Sequence, residues 1–389
     1  MKTIQLKPKH DHRIRNGHRW IFSNEIHDSL KSYEPGESVK ITDANGYPVG
    51  VGYINPYSLI AVRILSFKPV EINRPFFLER IRNAYERRQV FYADQSCYRV
   101  VFGESDDLPG LTIDRYGDYW VMQILTAGMD IHQDMIVDII RSEFSPKAII
   151  LRNDSAVRKL EHLPEEVRVA YGDCPSMVEV TIQNLLFRLD LLHGQKTGFF
   201  LDQKENHAYV RRFTSGKRVL DCFTHLGGWA VHAALGGATE VIGLDISEAA
   251  IAQCRTHAEI NQTTQCQFKC VDVFDELKAI NDRRESFDVI ILDPPAFAKS
   301  KSQVKEAIKG YREINRRAAK AIPSGGYLFT CSCSQAIDPD TFRNTVFQGI
   351  TAAGRQALLL EERTQPKDHP ILMSMRETQY LKCLVIQII

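Results

Sequence analysis

No apolar run in the 389-residue chain approaches the roughly 18–20 residues needed to cross a bilayer. The opening stretch, "MKTIQLKPKHDHRIRNGHRW", is charged throughout and lacks the apolar core of a secretory leader. Neither a membrane-spanning nor a secreted protein is therefore expected. Cysteine is sparse: nine residues, an odd number, irregularly spaced and without a CxxC pair. That argues against a disulfide framework and against a structural zinc site, so no metal is expected and reduced thiols in a cytoplasmic protein are. Low-complexity tracts and 20–50-residue repeats are absent, which removes solenoid architectures. Two phosphate-binding signatures are missing as well. Without GxGxxG or GxxxxGK[ST], the sequence argues against a dinucleotide and against ATP as ligand.

The charge present is unevenly placed. Residues 1–95 carry 15 Lys and Arg against 10 Asp and Glu, while the remainder carries 34 against 38. A basic N-terminal block beside a near-neutral body suits a polyanion such as nucleic acid, although an ordinary solvated face reads the same way. Lys7, Arg13, Arg15 and Arg19 are the candidate phosphate contacts in that block.

Three blocks follow one another along the chain. Residues 1–72 show short, alternating, β-rich segments with Asn45-Gly46 as a hairpin signal. Residues 73–185 begin with a helix, "RPFFLERIRNAYERRQVFY", whose apolar positions are Phe77, Ile81, Ala84, Tyr85 and Val90. Strand-like runs "YRVVFG", "YWVMQIL" and "KAIILR" and a helix "DMIVDIIRSEF" complete a small α+β module without catalytic spacing. Residues 186–389 alternate strand-like and helical stretches, the pattern of βαβ units in a doubly wound parallel sheet. The expected fold class is α/β, a Rossmann-like C-terminal domain behind a β-rich N-terminal domain and an α+β middle domain.

Ligands of such sheets bind beyond the carboxyl ends of the strands. The first apolar run ends in "LDCFTHLGGWA", presenting Asp221, Phe223, Thr224, Gly227 and Gly228. The second ends in "GLDIS", with Asp245, Ile246 and Ser247; a carboxylate there can accept bonds from ribose hydroxyls. In the third, "CVDVFD", Asp272 is placed to meet an adenine amino group and Val273 to pack on the ring. The fourth ends in "LDPPAF", with Asp293, Pro294, Pro295 and Phe297. Each acid alone also reads as a helix N-cap. Four at successive strand ends, without a phosphate loop, point to a ligand with ribose and adenine but no phosphate: S-adenosylmethionine.

"LDCFTHLGGWAVHAALGGATEVIGLDIS", "CVDVFD" and "ILDPPAFAKSK" resemble motifs I to IV of the class I methyltransferases. With "RIRNGHRWIFSNEI" at the start, "HGQKTGFFLDQKENH" ahead of the motifs, and "TCSCS" and "DHP" behind them, the chain resembles bacterial 23S ribosomal RNA 5-methylcytosine methyltransferases with an N-terminal PUA domain. The resemblance implies that "QKTGFFLDQKENH" closes over the cofactor, making Lys196, Thr197, Gly198, Phe200, Asp202 and Asn206 further candidates, with core packing the alternative for Phe199 and Phe200. It implies 23S rRNA as partner and leaves a homodimer open.

"GGYLFTCSCSQ" places two thiols where a strand runs out. Cytosine C5 is a poor nucleophile until a thiolate adds to C6, so a cysteine beside the donor methyl is what C5 methylation requires. Cys331 and Cys333 share a strand face, and Cys333 lies nearer the ligand end. Cys333 is the expected nucleophile, as the resemblance also implies, with Asp293 on the N3/N4 edge of the base. Many cytosine-5 RNA methyltransferases have a second cysteine after the motif IV proline; here "DPPAF" has none. His369, beside Pro370, either shapes the base pocket or caps a turn. Two other readings stay open at this level: an amino-group methyltransferase using "DPPAF" alone, and an RNA-binding protein with a vestigial catalytic fold.

Overall fold

The computed structural model describes residues 1–194, 197–298 and 300–389, which divide into two compact units. The first comprises Met1–Ile182, Leu189–Leu201 and Lys367–Thr378; the second comprises Gln183–Arg188, Asp202–Pro366 and Gln379–Ile389. The blocks 1–72 and 73–185 thus fall almost wholly together in the first unit. Most of 186–389 makes the second.

In the first unit, β1 (Lys2–Gln5), α1 (His12–Arg15), β2 (Trp20–Ile21), β3 (Ser38–Thr42), β4 (Pro48–Ile54) and β5 (Val62–Ser66) give a sheet ordered β1-β3-β4-β5-β2. The Asn45-Gly46 turn joins β3 to β4. Asp43 Oδ1 accepts from the backbone of Asn45 and Tyr47, both at 2.9 Å, and Gly46 takes φ +84°, open to a residue without Cβ. Next comes α2 (Arg74–Tyr92), started by Asn73, whose side chain accepts from Phe76 N, and by a proline in the first turn. Its buried stripe runs Phe77, Ile81, Ala84, Arg88, Tyr92. Val90 lies about 200° round the helix from Arg88 and is 76% exposed, so its expected place on the stripe belongs to an arginine. Arg88 is tolerated there because Asp106 receives its guanidinium in two bonds of 2.6 and 2.7 Å.

A second sheet, ordered β10-β9-β8-β7-β6, contains β6 (Cys97–Phe102), β7 (Leu111–Tyr116) and β8 (Tyr119–Ile124). After α3 (Ala127–Asp130) and α4 (Gln133–Phe144) come β9 (Ala148–Asn153), α5 (Val157–Leu160) and β10 (Glu166–Gly172). The parallel pair β8–β9 is joined through α4, which buries Ile136, Ile139 and Ile140. The two sheets of the unit are tied by buried polar bonds. Glu161 accepts from Arg63 at 2.9 Å and from Asn55 at 2.8 Å, and the Tyr53 hydroxyl donates to Pro109 O at 2.7 Å.

After β11 (Val178–Ile182) and β12 (Leu185–Leu189) the chain enters α6 (Lys204–Tyr209) and the parallel sheet. It continues β13 (Arg218–Cys222), α7 (Gly228–Leu235), β14 (Glu240–Asp245), α8 (Glu248–Ile260), β15 (Cys266–Cys270), α9 (Val273–Asp282) and β16 (Val289–Leu292). The last elements are α10 (Val304–Ala321), β17 (Tyr327–Ser332), α11 (Pro339–Ala352), β18 (Ala357–Arg363) and β19 (Lys382–Ile388). Strand order is β15-β14-β13-β16-β17-β19-β18, with β19 antiparallel to both neighbours and the remaining pairs parallel. The central strands are covered on both faces, which is why they read as unbroken apolar runs such as "VIIL". No helix among the described residues is long and apolar enough to cross a membrane.

Candidate active site at the carboxyl edge of the parallel sheet

Strand order reverses between β13 and β16, and sheets of this kind bind ligands in the crevice beyond such a reversal. The four acids read from the sequence stand at the carboxyl ends of β15, β14, β13 and β16, four strands that are neighbours in that order. Their local bonds give them different tasks.

Asp221 is fully buried. Its Oδ2 accepts from the Thr224 hydroxyl at 2.6 Å, and its Oδ1 has no hydrogen-bond partner among the described residues. Burial pushes its carboxyl up to about 7, partly offset by the Thr224 bond and reinforced by the nearby Asp293 and Asp245. The loop after β13 is strained: Phe223, His225 and Gly227 all take left-handed φ, at +64°, +50° and +79°. It is held by Thr224 N donating to Leu244 O and by His225 N donating to Asp245 Oδ2 at 3.0 Å. Asp245 Oδ1 accepts from Ser247 N at 2.9 Å, so this carboxylate organises two loops while remaining half-exposed. Beside it Ile246 is 73% exposed, an apolar surface available to a flat ring.

Four sequence-predicted contacts also carry structural duties. Asp272 caps α9 by accepting from Asp275 N at 3.1 Å, and Ser247 caps α8 by accepting from Ala250 N. Val273, expected against an adenine ring, is buried in the core with Leu277 and Ile280; as the first residue of α9 it points into the sheet. Gly228 is required by packing: a Cβ there would stand 2.6 Å from the His207 imidazole.

Asp293 follows β16 and is held from two sides. Gln203 Nε2 donates to Oδ1 at 3.0 Å and Trp229 Nε1 to Oδ2 at 2.9 Å. Gln203 is fixed in turn by Asn206, whose Nδ2 donates to Gln203 Oε1 at 2.7 Å and whose Oδ1 accepts from Arg363 at 2.8 Å. Asn206 is therefore the middle of a relay onto Asp293, and Asp202 accepts from the Tyr380 hydroxyl at 2.7 Å. Sequence reading did not select Gln203 or Trp229; both lie inside quoted motifs, but nothing in their spacing marks a donor aimed at Asp293. Pro294 is buried, Pro295 exposed, and the half-exposed Phe297 ring packs 4.6 Å from that of Tyr311.

The two thiols differ sharply. Cys331, inside β17 and opposite Cys383 of β19, is fully buried, and burial holds its thiol well above the ordinary range. Cys333 lies just past the strand end and is half-exposed. Its flanking residues, Ser332 and Ser334, are buried. Ser334 Oγ accepts from Ala298 N at 3.3 Å and meets the Tyr311 hydroxyl at 3.1 Å, which fastens the end of β17 to the loop after Asp293.

The remaining candidates belong to the first unit. Lys196 lies outside the described residues. Thr197 is buried and donates to Asp114 Oδ2 at 2.6 Å; Gly198 takes φ +134° and a Cβ there would meet Leu191 at 2.6 Å; Phe199 is core and Phe200 half-exposed. His369 is buried, its Nδ1 2.9 Å from Asp368 Oδ1, with the Phe102 ring 5.2 Å away. In the N-terminal block, Arg13 makes two bonds to Glu25, at 3.0 and 2.9 Å, and Arg15 bonds Asp11 and Asp43, each at 2.7 Å. Arg19 is buried against Asp107, which corrects its expected place on a phosphate-binding face. Lys7 donates to Asn24 O at 2.8 Å and pairs with no carboxylate among the described residues.

A site containing Asp221, Asp245 and Asp293, with one carboxylate oxygen lacking a donor, fits a ligand of net positive charge that brings its own N–H groups. S-adenosylmethionine, a sulfonium with an ammonium group, meets that description, and a dinucleotide or ATP does not.

Comparison with known proteins agrees. Residues 4–67 match the PUA-like domain family, and residues 153–372 match the S-adenosylmethionine-dependent methyltransferase family. The chain is 38% identical over 394 residues to "Ribosomal RNA large subunit methyltransferase I" of Tolumonas auensis, covering 100% of this chain and 99% of the relative. It is 38% identical over 392 residues to the protein of the same name from Aeromonas hydrophila, covering 99% of each. Among solved structures, the methyltransferase SMU.776 complexed with SAH superposes with a TM-score of 0.87 at 21% identity over the whole of both chains, a likeness of fold. The chain belongs to the ribosomal RNA large subunit methyltransferase I family, S-adenosylmethionine-dependent methyltransferases that carry an N-terminal PUA-like domain.

Proposed function

We propose that this enzyme methylates C5 of a cytosine in the large-subunit (23S) rRNA through a covalent adduct of Cys333 at C6. The observation that carries the reading is the contrast at the end of β17: Cys331 is buried and held protonated, whereas Cys333 stands half-open one residue past the strand. The printed names of the relatives support rRNA as substrate, and a cytoplasmic location follows from it.

S-adenosylmethionine supplies an electrophilic methyl group. Asp221 and Asp245 hold the cofactor, with Phe223, Thr224, Gly227 and Ile246 shaping its surroundings. Cys333 attacks C6; the C–S bond forms and the displaced electron pair makes C5 nucleophilic. After methyl transfer, loss of the C5 proton returns the electron pair to the ring and expels the thiolate. Asp293, kept in one orientation by Gln203 and Trp229, receives the N3/N4 edge of the base, with Pro295 and Phe297 beside it. The target base must leave its stack to enter such a site. Lys7, with Arg13 and Arg15, supplies phosphate contacts, the two arginines reaching phosphate from partly exposed guanidinium groups.

The test uses labelled S-adenosylmethionine and unmodified bacterial large-subunit rRNA, digested to nucleosides and analysed by mass spectrometry. Label on C5 of cytidine that disappears in Cys333→Ala is the expected result. Label on an exocyclic nitrogen, surviving Cys333→Ala, would overturn the reading and give the chemistry to Asp293 and Phe297.

A further inference from the structure

Lys382 is the first residue of β19, paired directly across from Ser332, the last residue of β17. Its side chain is buried, 7% exposed, yet among the described residues no carboxylate lies within ion-pair distance. A lysine is rarely buried unless paired, because its charge loses hydration without compensation. Here two N–H bonds of the ammonium go to backbone carbonyls, Ser334 O at 2.7 Å and Ile337 O at 2.8 Å. Those carbonyls bracket the turn that begins immediately after Cys333. Burial lowers the ammonium to about 8, while Cys333 and Asp338 act to keep it charged. Asp338 is itself engaged at the N-terminus of α11, accepting from Thr341 N at 2.9 Å and from its hydroxyl at 2.6 Å. Tyr311, on α10, is another titratable group that feels Cys333, and burial holds its hydroxyl protonated.

We propose that Lys382 is the positioning residue for Cys333: its ammonium clamps the turn that follows the thiol and sets a positive charge near the sulfur at neutral pH. The proposal deepens the C5 reading and rests on it for its purpose, though not for its test. A nucleophilic cysteine needs its thiolate, and a neighbouring cation is a common means of populating one. Ser332 and Ser334 are pinned on either side, so the sulfur is presented from a segment fixed at three points. A structural lysine would serve as well on the surface. One kept dry between two carbonyls, at a cost in hydration, makes sense where its charge acts on a neighbour.

The experiment reads the thiol directly, without RNA. The full chain is alkylated with iodoacetamide between pH 6 and pH 10, and modification of Cys333 is followed by peptide mass spectrometry. The exposed Cys270 serves as internal control. In Lys382→Gln, which keeps a donor for the carbonyls and removes the charge, the profile of Cys333 should move up by about one pH unit, roughly tenfold slower alkylation near neutrality, with Cys270 unchanged. Lys382→Arg should keep the wild-type profile. Lys382→Met, which removes both clamp and charge, should shift Cys333 at least as far if it folds. A wild-type profile in Lys382→Gln overturns the proposal. Methyl transfer by Cys333→Ala is measured alongside: its survival would remove Cys333 as nucleophile, while a shifted profile in Lys382→Gln would still uphold the action of the lysine on the thiol.

Discussion

Asp221 offers a prediction with both sign and size. Its carboxyl is pushed up to about 7, so in the free protein it is half protonated at neutrality. A cofactor of net positive charge that donates to the bare Oδ1 favours the carboxylate, so binding must release a proton. Between pH 6 and pH 8 the ionised fraction rises from about one tenth to about nine tenths, and affinity for S-adenosylmethionine should strengthen about tenfold. Titration calorimetry in two buffers of different ionisation enthalpy should find about half a proton released at pH 7. The same group sets a stability term of opposite sense. Its folded pKa lies above the unfolded one, so the native state holds the extra proton between roughly pH 4 and 7, and stability falls as pH rises through that window. At pH 8 the buried carboxylate costs about 4 kcal/mol at most, taking 1.36 kcal/mol per unit between 3.8 and about 7. Asp221→Asn should therefore melt higher than wild type at pH 8 without cofactor, gain nothing at pH 4, and bind cofactor weakly with no pH dependence. Wild-type affinity that is flat across pH 6–8, or that tightens toward acid, would refute the argument.

Two further outcomes follow from distances at the same edge. Gly228→Ala places a methyl 2.6 Å from the His207 ring, and overpacking of this kind should lower stability by about 1–3 kcal/mol, read as a drop of several degrees in melting temperature. An unchanged melting temperature would mean His207 has room to withdraw. Gln203→Leu removes a donor that orients Asp293; loss of a hydrogen bond to a charged group is worth about 1.5–3 kcal/mol, so turnover should fall roughly 10- to 100-fold with cofactor affinity nearly unchanged. Loss of cofactor affinity instead would place Gln203 on the cofactor.

The doubly wound sheet was legible because its central strands are covered on both faces and read as mainly apolar runs, β16 without a single polar position. The hairpin at Asn45-Gly46 was legible because its turn depends on residue type. Strands β7 and β10 were not foreseen: "LTIDRY" and "EVRVAYG" carry charges that break the apolar run, and in β7 the buried Asp114 is made acceptable by two bonds from Arg99, which no local pattern reveals. Arg19 misled for the same reason in reverse. Its charge is visible in the sequence, and its partner Asp107, 88 residues away, is not.

That asymmetry also explains how the four strand-end acids sorted themselves. Spacing put all four at the carboxyl ends of strands, where they stand, since position along the chain fixes where a strand ends. What each carboxylate does depends on which donors reach it first. At Asp272 the donor is Asp275 N, three residues on, so the local helix claims the side chain. Asp245 is claimed by two loop N–H groups and keeps an exposed face. At Asp293 donors come from 90 and 64 residues away, a distance that no local spacing encodes. Asp221 accepts from the Thr224 hydroxyl and is touched more weakly by the Ala230 backbone, and among the described residues its second oxygen has no hydrogen-bond partner. A fold tolerates a buried carboxylate in that condition at a cost in stability, and an incoming cation removes that cost on binding. On the proposed reading, the least satisfied acid is the one most strongly coupled to the cofactor.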